Sequence, residues 1–200
     1  MTTVTCNVSV SVDGYVAGPN QSVDNPVGEG GLSLHQWHFE PQGDDQRIID
    51  EWQQSPGAYV MGRNMFAPGR GEWDLSWNGW WGDDPPYHTP VFVLTHHPRR
   101  PLTMQGGTTF HFVTDGIESA LRQAREAAGG QDVRVGGGVS TVRQYLQARL
   151  IDEVHVAIAP VVLGSGEALF SGIDLLKLGY RCTGHTPTAR ATHVLLTRHG

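Results

Sequence analysis

The residues best suited to binding chemistry lie in a glycine-rich turn late in the chain. Gly136, Gly137 and Gly138 follow a short β-branched run, and Ser140 and Thr141 open a segment with helical spacing of apolar residues. Glycine lets the backbone approach a ligand, and the N-terminal end of a helix favours an anion. The same pattern also fits a plain turn with a helix cap. Because three consecutive glycines lose much chain entropy on folding, we favour a phosphate-binding role.

Two widespread nucleotide-binding motifs do not fit this turn. A Rossmann fingerprint needs a third glycine where Thr141 stands and an acidic residue about 20 residues further on, and neither is present. A P-loop needs a Gly-Lys-Ser/Thr sequence, which does not occur. Arg63, with its planar guanidinium, and the run Thr95–His97 are further groups that suit a phosphate. With the glycine turn, they predict a site for an adenosine nucleotide that carries an extra phosphate.

The apolar pattern predicts the elements that carry these groups. Strict alternation over residues 3–12 predicts a strand, and helices alternate with short buried strands through the middle of the chain. The C-terminal part, after residue 151, runs strand after strand. This order predicts a three-layer α/β fold: a mostly parallel mixed sheet with helices on both faces and an antiparallel C-terminal edge.

The carboxyl ends of the predicted strands are where ligands of such sheets bind. Four chemically interesting segments follow predicted strand ends. They are Ser11–Gly18, Met61–Met65, Thr95–His97 and Gly136–Thr141. We therefore expect one crevice to collect all four.

Two long segments lack a regular pattern and are predicted to be loops. Residues 18–43 are polar and contain several glycines, which favours a lid or a pocket wall. Residues 67–90 hold Trp73, Trp77, Trp80 and Trp81. So many tryptophans indicate a satellite cluster, a subunit contact or a wall for an aromatic substrate.

The order of these motifs resembles the dihydrofolate reductase superfamily, and within it the reductase domain of riboflavin biosynthesis. The resemblance spans nearly the whole chain and is carried by residues 11–17, 61–63, 91–98, 135–140 and 160–164. It implies a single reductase domain over residues 1–200 that binds NADPH. By this similarity, residues 136–140 would hold the pyrophosphate, Arg63 and the Thr95–His97 turn would surround the 2′-phosphate, and residues 16–18 would flank the nicotinamide. The cofactor-binding residues expected are Val16, Ala17, Gly18, Gly62, Arg63, Asn64, Thr95, His96, His97, Val135, Gly136, Gly137, Gly138, Val139, Ser140 and Thr141.

The chain departs from the family in two respects. Dihydrofolate reductases carry an acidic residue in the helix before the Gly-Arg strand, but an ungapped count back from Gly62 reaches Gln46, with Asp44, Asp45 and Asp50 nearby. Folate is therefore a less favoured substrate. The zinc deaminase motifs that often accompany the riboflavin enzyme are also missing. A member of that branch with this sequence would be a standalone reductase domain.

Other candidate residues have both a functional and a structural interpretation. Asp13 is the candidate catalytic residue, able to orient a substrate or a proton-donating water, but a turn residue bonding its own backbone fits as well. Glu167 and Trp81 are the candidates for substrate contact. His35 and His38 have the spacing of a metal pair, yet no carboxylate or cysteine completes a set, so no metal is expected.

Composition limits the class of protein. A net charge of -6 with only 14 Lys and Arg argues against a nucleic-acid partner, and the lack of a long apolar run argues against a membrane span. The presence of only two cysteines favours a reducing compartment, so we expect a cytoplasmic protein. The exposed C-terminal edge and the tryptophan-rich loop predict a homodimer, as does the resemblance.

The leading hypothesis is an NADPH-dependent oxidoreductase that transfers a hydride to a small heterocycle of pterin or aminopyrimidine type. The alternatives are a nucleotide-binding module without turnover and a histidine-based metal hydrolase.

Overall fold

The computed structural model describes residues 2–52, 54 and 56–200. Its strands are β1 (Val4–Ser11), β2 (Ala58–Gly62), β3 (Pro90–Leu94), β4 (Leu102–Thr103), β5 (Thr109–Val113), β6 (Val133–Val135), β7 (Glu153–Ala159), β8 (Tyr180–Pro187) and β9 (Thr192–Arg198). Its α-helices are α1 (Gln36–Phe39), α2 (Asp45–Trp52), α3 (Arg63–Phe66), α4 (Ile117–Ala128) and α5 (Val139–Gln147). Two 3-10 helices cover Gly31–His35 and Gln105–Gly107. The chain divides into two compact units, one of Met1–Thr5 with Ser55–Tyr145 and one of Cys6–Gln54 with Leu146–Gly200.

In the first unit the spatial order of the strands is β4-β5-β3-β2-β6. The strands β5, β3, β2 and β6 are parallel, and β4 is antiparallel to β5. In register, Gly62 pairs with Leu94 and Leu94 with Val113. Because the strands are parallel and aligned, their carboxyl ends lie at one edge of the sheet. Helix α4 packs against β2 and β3 through its buried Ala and Leu side chains.

In the second unit the order is β1-β7-β9-β8, and β9 is antiparallel to both of its neighbours. Its core includes Trp37, Ile48, Ile49, Ala157 and Ala191. Helix α2 contributes both isoleucines, which are consecutive residues on its buried face, one turn after the buried Asp45.

The predicted mixed sheet, mostly parallel with antiparallel edge strands, is confirmed. The prediction of an unbroken loop over residues 18–43 is wrong. That stretch contains the 3-10 helix Gly31–His35 and helix α1, in which Trp37 is 1% exposed and donates its indole N–H to Ser9 Oγ at 3.1 Å. A four-residue helix is too short to show a helical period, and tertiary packing stabilises it. The helices seen among the described residues all lack the length and apolarity needed to cross a bilayer.

Candidate functional site

The glycine turn after β6 is locked to the end of β2. The Gly136 N–H donates to Val60 O at 2.8 Å, and the Gly62 N–H donates to Gly137 O at 2.7 Å. A Cβ atom added to Gly62 would collide with the Thr141 hydroxyl. Gly62 is therefore required so that the start of α5 can approach the end of β2.

The turn itself has a backbone that only glycine adopts easily. Gly137 has a φ of 125°, and a Cβ there would lie 3.0 Å from Met65 Sδ. The peptide between Gly137 and Gly138 is cis. Helix α5 begins at Val139, and its first intrahelical bond runs from the Val142 N–H to Gly138 O at 3.0 Å. The N–H groups of its first turn thus follow the glycines directly, which is a geometry that suits an anion.

Arg63 begins α3 immediately after β2. Its guanidinium donates to the carbonyl oxygens of Gly71 and Glu72 and lies 3.9 Å from the centre of the Trp73 ring. Its buried Nε atom has no hydrogen-bond partner among the described residues. Burial lowers the pKa of Arg63, the Glu72 carboxylate opposes that shift, and the guanidinium stays a cation.

The Thr95–His97 turn follows β3 at the neighbouring position. The Thr95 N–H donates to Val113 O at 3.0 Å, and the His97 N–H donates to Thr95 Oγ1 at 3.1 Å. The Trp73 indole N–H donates to His97 O at 2.8 Å, while His97 Nδ1 lies 3.1 Å from a Glu72 carboxylate oxygen. Thr95 is buried and His96 is exposed.

The first unit therefore brings together three of the four segments that the sequence singled out. The in-register pair Gly62 and Leu94 places Arg63 and Thr95 at neighbouring strand ends, and the hydrogen bond from Gly62 to Gly137 adds the glycine turn. Asn64 is an exposed residue of α3. The result is one edge that carries a guanidinium, a polar turn and a helix N-terminus, all of which attract phosphate.

The tryptophan-rich loop packs onto the core of this unit. Trp73, Trp77 and Trp81 contact a cluster that includes Phe66 and Phe110. The Trp77 indole N–H donates to Phe66 O at 2.8 Å, and Trp81 stacks on Phe110 with 6.0 Å between ring centres. The loop thus packs against the core of its own unit, where Trp81, proposed as a substrate contact, is half-buried.

In the second unit, Asp13 holds a neighbouring loop. One carboxylate oxygen accepts the Leu163 N–H at 3.1 Å and the other accepts the Gly164 N–H at 2.7 Å. A hydrogen bond from the Ser11 side chain, together with these backbone N–H groups, lowers the pKa of Asp13, although desolvation opposes the shift. Asp13 is therefore ionised, and its bonds reach a loop about 150 residues away in sequence.

Backbone bonds also join the predicted nicotinamide-flanking segment to Glu167. The Val16 N–H donates to Glu167 O at 3.0 Å, and the Glu167 N–H donates to Ala17 O at 2.9 Å. A Cβ added to Gly18 would collide with Glu29 O, and one added to Gly166 with Ala17 O. The segment is tightly enclosed, whereas the Glu167 side chain is exposed.

Helix α2 carries one buried acid. Gln46, which the ungapped count from Gly62 reached, is exposed and donates its amide to Asp50 at 2.8 Å. Its neighbour Asp45 is fully buried, and its Oδ2 atom accepts the Gln42 N–H at 2.9 Å. The Asp45 Oδ1 atom has no hydrogen-bond partner among the described residues.

Two histidines of the same unit were not predicted as site residues from the sequence. His193 is 2% exposed, and its ring lies 5.3 Å from that of His155. Each occupies an ordinary strand position, so only the pairing of β7 with β9 shows that they meet. Within the described part of the chain, no group of three or more His, Cys, Asp or Glu side chains is placed to bind a metal ion.

Comparison with known proteins identifies the family. The model of the RibD C-terminal domain matches residues 2–194. The chain belongs to the RibD C-terminal domain family. Its sequence is similar to that of the uncharacterized protein YyaP of Bacillus subtilis (strain 168). The two are 27% identical over 174 residues, and the match covers 82% of this chain and 78% of YyaP.

Solved structures confirm the fold of this family member. A protein from Shewanella sp. PV-4, described as a candidate riboflavin biosynthesis protein, has a TM-score of 0.66 at 21% identity, with full coverage of both chains. The Thermotoga maritima diaminohydroxyphosphoribosylaminopyrimidine deaminase/5-amino-6-(5-phosphoribosylamino)uracil reductase has a TM-score of 0.63 at 14% identity, covering 99% of this chain and 57% of that one. Dihydrofolate reductase from Enterococcus faecalis, complexed with NADP(H) and RAB-propyl, has a TM-score of 0.58 at 12% identity, covering 99% and 97%. The predicted resemblance to the dihydrofolate reductase superfamily is confirmed.

Proposed function

We propose that this RibD C-terminal domain protein is an NADPH-dependent reductase that transfers a hydride to a small heterocycle of pterin or aminopyrimidine type. The observation that carries the proposal is the shared edge in the first unit, where the glycine turn, Arg63 and the Thr95–His97 turn meet. The family and the reductase fold support the reaction class. The Enterococcus dihydrofolate reductase was solved with NADP(H), which supports the choice of cofactor.

The residues of this edge suit a dinucleotide with an extra phosphate. Two of the five N–H donors of Arg63 are engaged with Gly71 and Glu72, and the remaining N–H groups of the two terminal nitrogens are left for a phosphate oxygen. The backbone of residues 136–140 and the first turn of α5 would hold the pyrophosphate. In the Thr95–His97 turn, the exposed His96 and the ring of His97 would supply further donors to the 2′-phosphate, and the buried Thr95 holds the turn by accepting the His97 N–H.

The reaction asks little of the protein beyond positioning and a proton source, because NADPH when bound supplies the hydride. By family similarity, Val16, Ala17 and Gly18 flank the nicotinamide. Asp13 holds residues 163–164 through two backbone bonds, so in this proposal it acts by positioning that loop. Glu167 and Trp81 remain our proposed substrate contacts.

A second candidate function is a nucleotide-binding module without turnover. It is favoured by the exposed Gln46, which an ungapped count places where dihydrofolate reductases carry an acid. The two functions differ in one measurement. Steady oxidation of NADPH, followed at 340 nm with a panel of oxidised pterins and aminopyrimidines, is expected for a reductase. Tight NADPH binding with no oxidation above background for any member of the panel would leave the binding module.

The organisation of the protein follows from the same proposal. We propose a single reductase domain over residues 1–200, a cytoplasmic location and a homodimer. Strand β8 supports the dimer, since it ends the strand order of the second unit and is exposed over most of its length. A monomer mass in solution at micromolar concentration would contradict the homodimer.

A further inference from the structure

Two residues of the tryptophan-rich loop, Glu72 and Trp73, contact both elements that we assign to the 2′-phosphate, and their neighbour Gly71 contacts Arg63. We propose that the segment Gly71–Trp73 positions Arg63 and the Thr95–His97 turn, and thereby sets the preference for a 2′-phosphorylated adenosine. This inference rests on the proposed NADPH function. It gives these loop residues a role in cofactor specificity that does not require them to contact the cofactor.

The first observation is the way the segment surrounds one guanidinium. Arg63 donates to the carbonyl oxygens of two successive residues, Gly71 and Glu72, and the next residue, Trp73, places its ring 3.9 Å below the guanidinium carbon. A long arginine side chain loses much rotamer freedom when it is ordered by a ligand. Because the segment orders Arg63 beforehand, that entropic cost is already met when a phosphate binds.

The second observation is that the same segment is fastened to the neighbouring turn. The Trp73 indole N–H donates to His97 O at 2.8 Å, and the Glu72 carboxylate lies 3.1 Å from His97 Nδ1. These contacts link residues 24 and 25 positions apart in sequence. The segment therefore fixes the spacing between Arg63 and His97, on which the simultaneous contact of both with one phosphate depends.

Other side chains hold Trp73 itself in place. Its ring packs at 5.8 Å from Phe66 and 5.1 Å from Phe112, measured between ring centres, and the Arg99 guanidinium lies 5.5 Å from it.

A purely structural tryptophan in this position would affect stability, or the affinity for any adenosine ligand. A positioning residue changes the discrimination between ligands with and without the 2′-phosphate, so that ratio separates the two roles.

The experiment compares the binding of adenosine 2′,5′-bisphosphate and of AMP by isothermal titration calorimetry. The variants are Trp73→Leu, Trp73→Phe and the matched control Trp77→Leu, which removes a half-buried tryptophan of the same loop that bonds Phe66 instead. Circular dichroism establishes that each variant is folded. Trp73→Leu loses both the stacked ring and the bond to His97, so the preference for the bisphosphate should fall by roughly fivefold to tenfold. Trp73→Phe keeps a ring and should lose about twofold to threefold.

The control decides whether the effect belongs to Trp73. Trp77→Leu should keep the wild-type ratio even if its melting temperature is lower. An unchanged ratio in Trp73→Leu, or an equal loss in Trp77→Leu, would overturn the inference. If Trp73→Leu does not fold, Trp73→Phe decides alone, and an unchanged ratio in that variant overturns the inference. A wild-type protein without any preference for the bisphosphate would instead contradict the proposed cofactor.

Discussion

Acidification is expected to destabilise the unit of Cys6–Gln54 and Leu146–Gly200 through His155. The Trp52 indole N–H donates to His155 Nδ1 at 2.5 Å, so this nitrogen must be unprotonated for the bond to form. Burial, reinforced by the nearby His193, lowers the pKa of His155 from its ordinary 6.5 to about 4. Protonation of His155 Nδ1 would leave its N–H facing the Trp52 indole N–H with no acceptor between them. It would also place a cation 5.3 Å from the His193 ring.

The sign and size of the effect follow from proton linkage. Between pH 6.5 and about 4, the unfolded chain binds a proton at His155 that the folded protein does not. The free energy of unfolding therefore falls with falling pH, by at most about 1.4 kcal/mol per pH unit within this window. Because His155 is only partly buried, we expect less than the maximum loss of unfolding free energy that this pH window allows, and take about 2 kcal/mol.

Urea unfolding followed by circular dichroism between pH 7.5 and 4.5 measures this loss. His155→Gln offers an acceptor to Trp52 that does not titrate, so its stability should fall by about 2 kcal/mol less than that of the wild type over this range. His185→Gln makes the same change at an exposed site of β8 and should follow the wild type. Parallel pH curves for wild type and His155→Gln would refute the reasoning.

Three further predictions test the candidate sites. Gly62→Ala should lower the free energy of unfolding by about 1–3 kcal/mol, because the added Cβ collides with Thr141. In the control Gly136→Ala the added Cβ meets only ordinary contacts, so the free energy of unfolding should change by less than about 0.5 kcal/mol. Thermal melts measure both variants, and equal losses of stability would contradict the packing argument. Glu72→Gln keeps a side chain that can hydrogen-bond His97, so the turn stays fastened, but it removes a negative charge beside the proposed 2′-phosphate position. NADPH should therefore bind about twofold to fivefold more tightly while NADH binding is unchanged, as titration calorimetry would show, and weaker NADPH binding would contradict this reasoning. Asp13→Asn replaces one of the two carboxylate oxygens that accept the N–H groups of residues 163 and 164. The amide hydrogens of these residues should therefore exchange faster with solvent. Unchanged exchange would mean that Asp13 does not hold this loop.

The part of the site that local sequence controls was predictable. A short stretch of sequence is enough to predict a tight turn from consecutive glycines before a helix, and to place an arginine at the end of a strand. The structure places Gly137 and Arg63 at one edge of the sheet. The parallel order of the central strands also follows from alternation with helices. These features depend on patterns that fit inside a short window of sequence.

The rest depends on contacts between distant residues. The bond from Trp73 to His97 spans 24 positions across an irregular loop, and the meeting of His155 and His193 depends on the register of β7 with β9. The short strand β4 and helix α1 contain too few residues to establish a period. Neither composition nor spacing distinguishes such residues from their neighbours, so only the folded chain shows their roles.

The acid of α2 illustrates the same limit. An ungapped count reached the exposed Gln46, whereas the residue before it, Asp45, is the one that the fold buries. Element ends shift by a residue or two between relatives, and a shift of one position on a helix turns a side chain by about 100°. Burial of a side chain therefore has to be read from the structure.

The central claim is that the edge formed by the glycine turn, Arg63 and Thr95–His97 binds NADPH through its 2′-phosphate. It is tested most directly by the dissociation constants of NADPH and NADH, measured by titration calorimetry on the wild type and on Arg63→Ala. A charge-assisted hydrogen bond contributes about 1.5–3 kcal/mol, so the wild type should bind NADPH roughly 10- to 150-fold more tightly than NADH, and Arg63→Ala should lose most of that preference. Equal affinity for the two cofactors in the wild type, or a preference that Arg63→Ala retains, would contradict the account.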